Sequence, residues 1–416
     1  MSLLPASIAL LRHARLAGGD LVDVVIEGDT IAEILPAGTA ALPADASTVV
    51  DLDGYLLVTA AAEPHAHLDK TRSWDAIRPP MGDLELAIES WRAYAATMTV
   101  EDVAERARAQ ALTMLAKGTT AIRTHVDILL GDEPLRGVHA LLQVRAELAD
   151  LIDIEIVALP GPDIDSAAVE AALDAGVDVV GGAPHLAPEP LDDLRRLLEI
   201  AERRGLPVDL HTDESLDGAV TLGEYARIVA TWSQNTSAGH CVRLGTLPAP
   251  ERDGLVSAVV AAGIGVIANP ITNLYLQGWG DDVATPRGLT AVRALVDAKA
   301  RFAAGADNVR DPFNPLGRSD PFETAMLLVT AGHLTVDEAW TAVSDGAREV
   351  LALPTAGVTV GAAAELLAVR GASLPEVVAE ASAERLVIHR GRLVARTTVA
   401  TDVAVPTAHL TPTGAR

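Results

Sequence analysis

The sequence predicts a (β/α)8 barrel with a small β-sandwich built from both termini. Three observations carry this expectation. Eight short β-rich runs alternate with Ala/Leu/Glu/Arg-rich helical runs through the middle of the chain. Strand-like segments with tight hairpins occur at both ends. The length, 416 residues, suits one barrel of about 250 residues or more with a satellite domain. Strand–helix alternation is the pattern of a parallel sheet with helical crossovers. A doubly wound sheet is the competitor, but no glycine-rich phosphate loop follows the first strand.

The elements follow in order. At the N-terminus, "SIALLRHARL", "LVDVVIEGDTIAEILP" and "STVVDLDG" read as strands, with "EGD" as a hairpin turn. Similar material returns late in the chain as "AAAELLAVRG" and "RLVIHRGRLVARTT". Residues 1–55 and 356–402 are therefore assigned to the sandwich, 56–355 to the barrel and 403–416 to a C-terminal tail. The eight barrel strands are expected at 56–67, 119–127, 154–160, 177–185, 207–214, 236–240, 265–270 and 301–307. Amphipathic runs such as "VEDVAERARAQALTMLAKG" and "LDDLRRLLEIAERRG" lie between strands. Gly118, Gly205 and Gly263 stand where helices should end.

Composition narrows the function. Hydrophobic residues make up 49% of the chain but aromatics only 3%, so the core should be packed with Ala, Val and Leu. A net charge of −25 opposes nonspecific binding to nucleic acid or anionic lipid and favours solubility. The one cysteine, Cys241, allows no internal disulfide and no paired-cysteine zinc knuckle, and reads as a small buried residue. The first residues lack a signal-peptide core, and the longest apolar stretch, "LVSAVVAAGIGVIANP", falls short of the ~18 residues of a membrane span. A cytoplasmic protein is expected, and a homo-oligomer is compatible with this reading.

The polar residues test the barrel. In this architecture chemistry gathers at the C-terminal ends of the strands. Most of the eleven histidines fall there: His65, His67, His125, His185, His211 and His240, with Glu214 and Asp307 beside them. Residues two apart on a strand point the same way, so His65 and His67 of "EPHAHLDK" can both aim into the barrel mouth. With His211 and Asp307 they make a three-nitrogen, one-oxygen set that suits one Zn2+ or Fe2+ ion. Taken alone, an HxH pair is more often an ordinary polar strand end; the other matched positions overturn that. His13, His139, His333, His389 and His409 lie off the pattern and read as surface or packing residues.

The ordered set "EPHAHLDK", "IRTHVD", "HTDES", "SAGH", "NPITNLYLQG" and "GADNVRDPFNPLG" resembles the amidohydrolase superfamily, in its cytosine deaminase branch and near N-isopropylammelide amidohydrolase. The resemblance implies a mononuclear site with His65, His67, His211 and Asp307 as metal ligands. It implies Glu214 as the acid that passes a proton to a ring nitrogen, His240 as the residue that orients the attacking water, and Asp307 as a proton acceptor. The branch uses a glutamine after the third strand to read the pyrimidine carbonyl, and Gly161 stands in its place. Its second aspartate after the metal aspartate is here Asn308. Phe313 stands where an aromatic ring would stack on the substrate. A site built to pair cytosine loses discrimination without those partners. The reading is thus a hydrolytic deaminase of an amino-substituted heterocycle (pyrimidine-, triazine- or pterin-like) that is not an efficient cytosine deaminase.

Lys70 is read as a salt-bridge partner close enough to touch a substrate, and Arg72 and Arg310 as loop cations near the mouth. His125 and His185 are divided between support and substrate contact. Two further enzyme readings remain. One is release of an N-alkylamine. The other is opening of a cyclic amide, which is disfavoured because the fourth strand ends "VVGGAPH" without a metal-bridging lysine. A non-enzymatic scaffold is opposed by the intact Glu214, His240 and Asp307.

Overall fold

The computed structural model describes residues 6–404; His409 and most of the proposed tail lie outside them. Eight parallel strands form the barrel: β1 (Ala61–Ala66), β2 (Thr119–Ile128), β3 (Asp153–Pro160), β4 (Val179–Val180), β5 (Val208–Thr212), β6 (Thr236–His240), β7 (Gly265–Ala268) and β8 (Phe302–Ala304). They pair in sequence order. The ring closes through a parallel bridge between Ala66 and Asp307, where the Asp307 N–H donates to the His65 carbonyl at 2.9 Å. All eight expected strands are present, and several are shorter than the sequence suggested.

The helices begin and end where the sequence signals them. Thr99 caps helix Val100–Ala116 by accepting from the Asp102 N–H. Gly205 and Gly263 follow helices Pro190–Arg204 and Ala249–Ala262 in the left-handed conformation, at φ 66° and 68°, which glycine adopts without a Cβ penalty. The lower barrel is filled by Ala62, Ala121, Ile267 and Ala303, as the aromatic-poor composition anticipates.

The second unit is a nine-stranded sheet drawn from both termini. Its C-terminal strands Leu366–Arg370, Arg385–His389 and Arg392–Thr397 sit between Ala6–Ser7 and Tyr55–Thr59. Its two halves enclose a separate core that includes Leu11, Val24, Ile31, Leu57, Leu366 and Ile388. Two details differ from expectation. The run 56–67 is two strands, not one: Tyr55–Thr59 pairs antiparallel with Leu366–Arg370 in the terminal sheet, and β1 starts at Ala61. A continuous apolar run hides such a change of sheet, because strands buried on both faces lose their alternation. The C-terminal segment also contains a helix, Leu374–Glu380, with Ser373 accepting from the Glu376 N–H.

Between β1 and β2 the chain inserts helix Leu84–Ala95 ahead of the crossover helix. Asp83 caps it by accepting from the Leu86 N–H. One face of this helix, including Leu84, Ile88, Trp91 and Arg92, roofs the C-terminal mouth of the barrel.

Candidate active site

The strand ends deliver their histidines to one point. The Nε2 atoms of His65 and His67 lie 3.3 and 3.2 Å from Nε2 of His211. Oδ1 of Asp307 lies 3.2 Å from His67 Nε2 and 3.7 Å from His65 Nε2. All four residues are buried. Burial, reinforced by the crowding of imidazoles and by Lys70 beside His67, holds the three histidines well below their usual pKa. Burial and the neighbouring carboxylates push Asp307 well above its own.

These residues fit a divalent ion. Neutral imidazoles are the ligand form of histidine. Both carboxylate oxygens of Asp307 are buried and accept no hydrogen bond from the protein. The donor atoms of a tetrahedral site with bonds of about 2.1 Å stand about 3.4 Å apart, and the observed separations of 3.2–3.7 Å bracket that figure.

Two more strand-end residues face the cluster. His240 Nε2 lies 3.9 Å from Asp307 Oδ2, and His240 Nδ1 lies 3.1 Å from Asn273 Nδ2. Burial lowers the His240 pKa to about 3. Glu214 sits between His240 Nδ1 (3.5 Å) and His185 Nε2 (3.8 Å), and burial raises its pKa, with His185 opposing. His240 and Asp307 hold positive φ, 66° and 58°, which costs about 1–3 kcal/mol per residue for a side chain with a Cβ. Gly239 makes room for the His65 ring: a Cβ there would stand 2.8 Å from His65 Cε1.

A cavity of about 230 Å³ opens above His67, His211, Glu214, His240 and Asp307. Lys70, Gly161, Asn308 and Phe313 all line it. Lys70 Nζ donates to Asp127 Oδ1 at 2.6 Å and lies 3.1 Å from His67 Nδ1. Asn308 Nδ2 donates to Asp311 at 2.9 Å. A Cβ on Gly161 would meet only Arg92 Nη2, at 3.5 Å.

Arg72 and Arg310 are not among the lining residues, which corrects the expectation for both. Arg72 donates to Gln110 and Thr113, and Arg310 to Asp75. His125 packs its ring 4.2 Å from that of His65, with Nε2 3.6 Å from Asp209, so it lies beneath the cluster. His185 donates through Nδ1 to the His211 carbonyl at 3.2 Å and backs Glu214. Cys241 is buried as expected.

Sequence reasoning missed Trp91, Arg92, Asn273 and Glu63. Glu63 accepts from the N–H groups of His65 and Ala306, tying β1 to β8. The signal for the roof was the long interval between the first and second strands, too long for one crossover helix.

Fold and site together define a barrel hydrolase with imidazoles and carboxylates gathered at the C-terminal mouth. The chain belongs to the amidohydrolase family, whose sequence pattern matches residues 92–395, and is a hydrolase acting on non-peptide carbon–nitrogen bonds. It is 31% identical over 389 residues to a pterin deaminase of Rhizobium rhizogenes (strain K84 / ATCC BAA-868), covering 90% of this chain and 88% of that protein. It superposes on 5-methylcytosine deaminase from Klebsiella pneumoniae liganded with 5-fluorocytosine with a TM-score of 0.85 at 29% identity, covering 95% and 99% of the two chains. For N-isopropylammelide isopropylaminohydrolase from Burkholderia multivorans ATCC 17616 the TM-score is 0.81 at 31% identity, with coverage of 93% and 98%. No helix among the described residues is long and apolar enough to cross a membrane.

Proposed function

We propose that the protein is a metal-dependent hydrolytic deaminase of an amino-substituted nitrogen heterocycle of pyrimidine, triazine or pterin type. The observation that carries this is the convergence of His65 and His67 on both His211 and Asp307 at 3.2–3.7 Å, with Glu214 and His240 facing them across the cavity floor.

His65, His67 and His211 would hold the ion through Nε2, and Asp307 through a carboxylate oxygen. A divalent ion, Zn2+ or Fe2+, supplies Lewis acidity that makes water a competent nucleophile near neutral pH. With Nε2 given to an ion, His67 would carry its proton on Nδ1, so Asp127 is the anchor of Lys70. With Asn273 Nδ2 as donor, His240 Nδ1 is an acceptor, so its proton sits on Nε2, aimed toward Asp307. That proton orients the attacking water. Asp307 would take a proton from the water and pass it to the exocyclic amino nitrogen, which leaves as ammonia when the carbon–nitrogen bond breaks and the carbonyl forms. Glu214, whose buried setting favours the protonated form, would deliver a proton to the ring nitrogen beside the reacting carbon. Phe313 offers its face to the ring. Gly161 provides no side-chain hydrogen bond to a pyrimidine edge, and the Asn308 amide already donates to Asp311, so cytosine is a poor substrate in this reading.

A second reading, release of an alkylamine from an N-alkylated triazine, is favoured by the similarity to the isopropylaminohydrolase. The test is a panel of aminopyrimidines, aminotriazines and pterins assayed for both ammonia and alkylamine, with metal content measured on the same protein. Ammonia release from a bulkier heterocycle in preference to cytosine is the expected result; cytosine as the best substrate by kcat/KM would overturn the reading of Gly161 and Asn308.

A further inference from the structure

We propose that Arg92 recognises a carboxylate on the substrate, so that the preferred substrates are amino-heterocycles bearing an anionic substituent away from the reacting carbon. The inference rests on the deaminase reading above and assigns the substrate's far end.

The cavity is lined by two cations, Lys70 and Arg92. Lys70 is committed: it is buried, bonded to Asp127 and 3.7 Å from Asp69. Asp127 is committed in turn, since its second oxygen accepts from Trp91 Nε1 at 2.7 Å. Neither is available to a ligand without breaking a buried pair. Arg92 is different. Its side chain is 47% exposed and makes one side-chain bond, from Nη2 to Asp163 at 3.1 Å. A guanidinium has five N–H donors in a fork that matches a carboxylate. Asp163 is 62% exposed, and such a rim ion pair is worth little, so an incoming carboxylate can compete with it.

Position adds the second argument. Arg92 Nη2 stands 3.5 Å from where a Cβ on Gly161 would be. The glycine leaves clear the space through which the guanidinium approaches the cavity, and a longer side chain there would occupy it. The neighbours of Arg92 on the roof helix, Leu84, Ile88 and Ala95, are apolar, which suits a flat ring reaching from the histidine cluster to the rim. Arg92 is the lining cation whose one partner is an exposed carboxylate, so the anionic group is placed at the Arg92 end with the reacting carbon toward the histidine cluster, which fixes the substrate's orientation.

The test compares matched pairs, pterin with pterin-6-carboxylate and cytosine with cytosine-5-carboxylate, on the metal-loaded enzyme. The expected ratio of kcat/KM, carboxylate over parent, is about tenfold or more in the wild type, in line with a charge-assisted hydrogen bond. In Arg92→Ala the ratio should fall toward one, and in Arg92→Lys part of it should return. Asp163→Asn removes the competing carboxylate and should raise the ratio. Calorimetric binding of the deaminated products, lumazine and lumazine-6-carboxylate, decides the point independently of turnover. Equal affinities for the two, or a carboxylate preference that survives Arg92→Ala, overturn the assignment of Arg92. A preference that depends on Arg92 in a protein that turns over neither pair sustains the assignment and overturns only the deaminase reading.

Discussion

Glu214 shows how burial sets chemistry at single residues. Its carboxyl has no cationic partner of fixed charge, only His185 and His240, and desolvation raises its pKa. An acid that donates to a ring nitrogen works in its protonated form, so the raised pKa extends activity upward in pH. The rate should be highest below that pKa and fall as pH rises through it, with the inflection above the ordinary value of 4.5. Glu214→Gln should retain metal and substrate binding, lose at least about 10²-fold in kcat, and lose the descending limb. A pH–rate profile of both proteins checks this, and an unchanged limb in the variant would place the donor elsewhere. The ligand set is tested by metal analysis. We expect one tightly held ion per chain and weaker retention in His211→Ala, which removes one of its three imidazole donors. Two ions per chain would overturn the mononuclear assignment.

Among the elements, strand β6 carries a constraint that its motif does not display. "SAGH" identifies a strand end with a functional histidine, but not why glycine precedes it. The structure gives the reason: the His65 imidazole lies so close to β6 that a methyl group on Gly239 would meet its Cε1 and Nδ1. Gly239→Ala should therefore displace His65 and reduce metal retention more than it reduces helix and strand content. Metal stoichiometry read beside circular dichroism separates the two; full metal content in the folded variant would show that β6 can shift to make room. Helix Leu84–Ala95 is the complementary case. Its amphipathic sequence and Asp83 cap make it legible as a helix. That its apolar stripe both lines a cavity, through Leu84 and Ile88, and packs into the core, through Trp91 and Ala95, depends on where the barrel mouth lies.

At the scale of the whole molecule the two units are joined by a buried ion pair. Arg385, from the terminal sheet, meets Asp320 in a two-pronged contact at 3.0 and 2.9 Å and also donates to the Lys117 and Ala381 carbonyls. Asp320 also caps helix Pro321–Thr330. Removing one partner leaves a buried charge unpaired, so Asp320→Ala should cost about 3–5 kcal/mol, seen as a lowered Tm with the metal site intact before unfolding. An unchanged Tm would mean that the guanidinium finds water when its partner is lost. The sequence by itself determined the barrel, because the alternation of strand and helix and the strand-end histidines are local patterns with fixed periods. It also brought His65, His67, His211, Glu214, His240 and Asp307 to one end, since every strand of a parallel barrel points the same way. What only the tertiary structure decided is which cations face the cavity. Lys70, Arg72, Arg92 and Arg310 look alike in sequence, and their partners come from distant segments: Asp127 for Lys70, Gln110 and Thr113 for Arg72, Asp163 for Arg92 and Asp75 for Arg310. Long side chains on loops and helix faces reach in many directions, and the one they take is set by neighbours that sequence spacing does not specify.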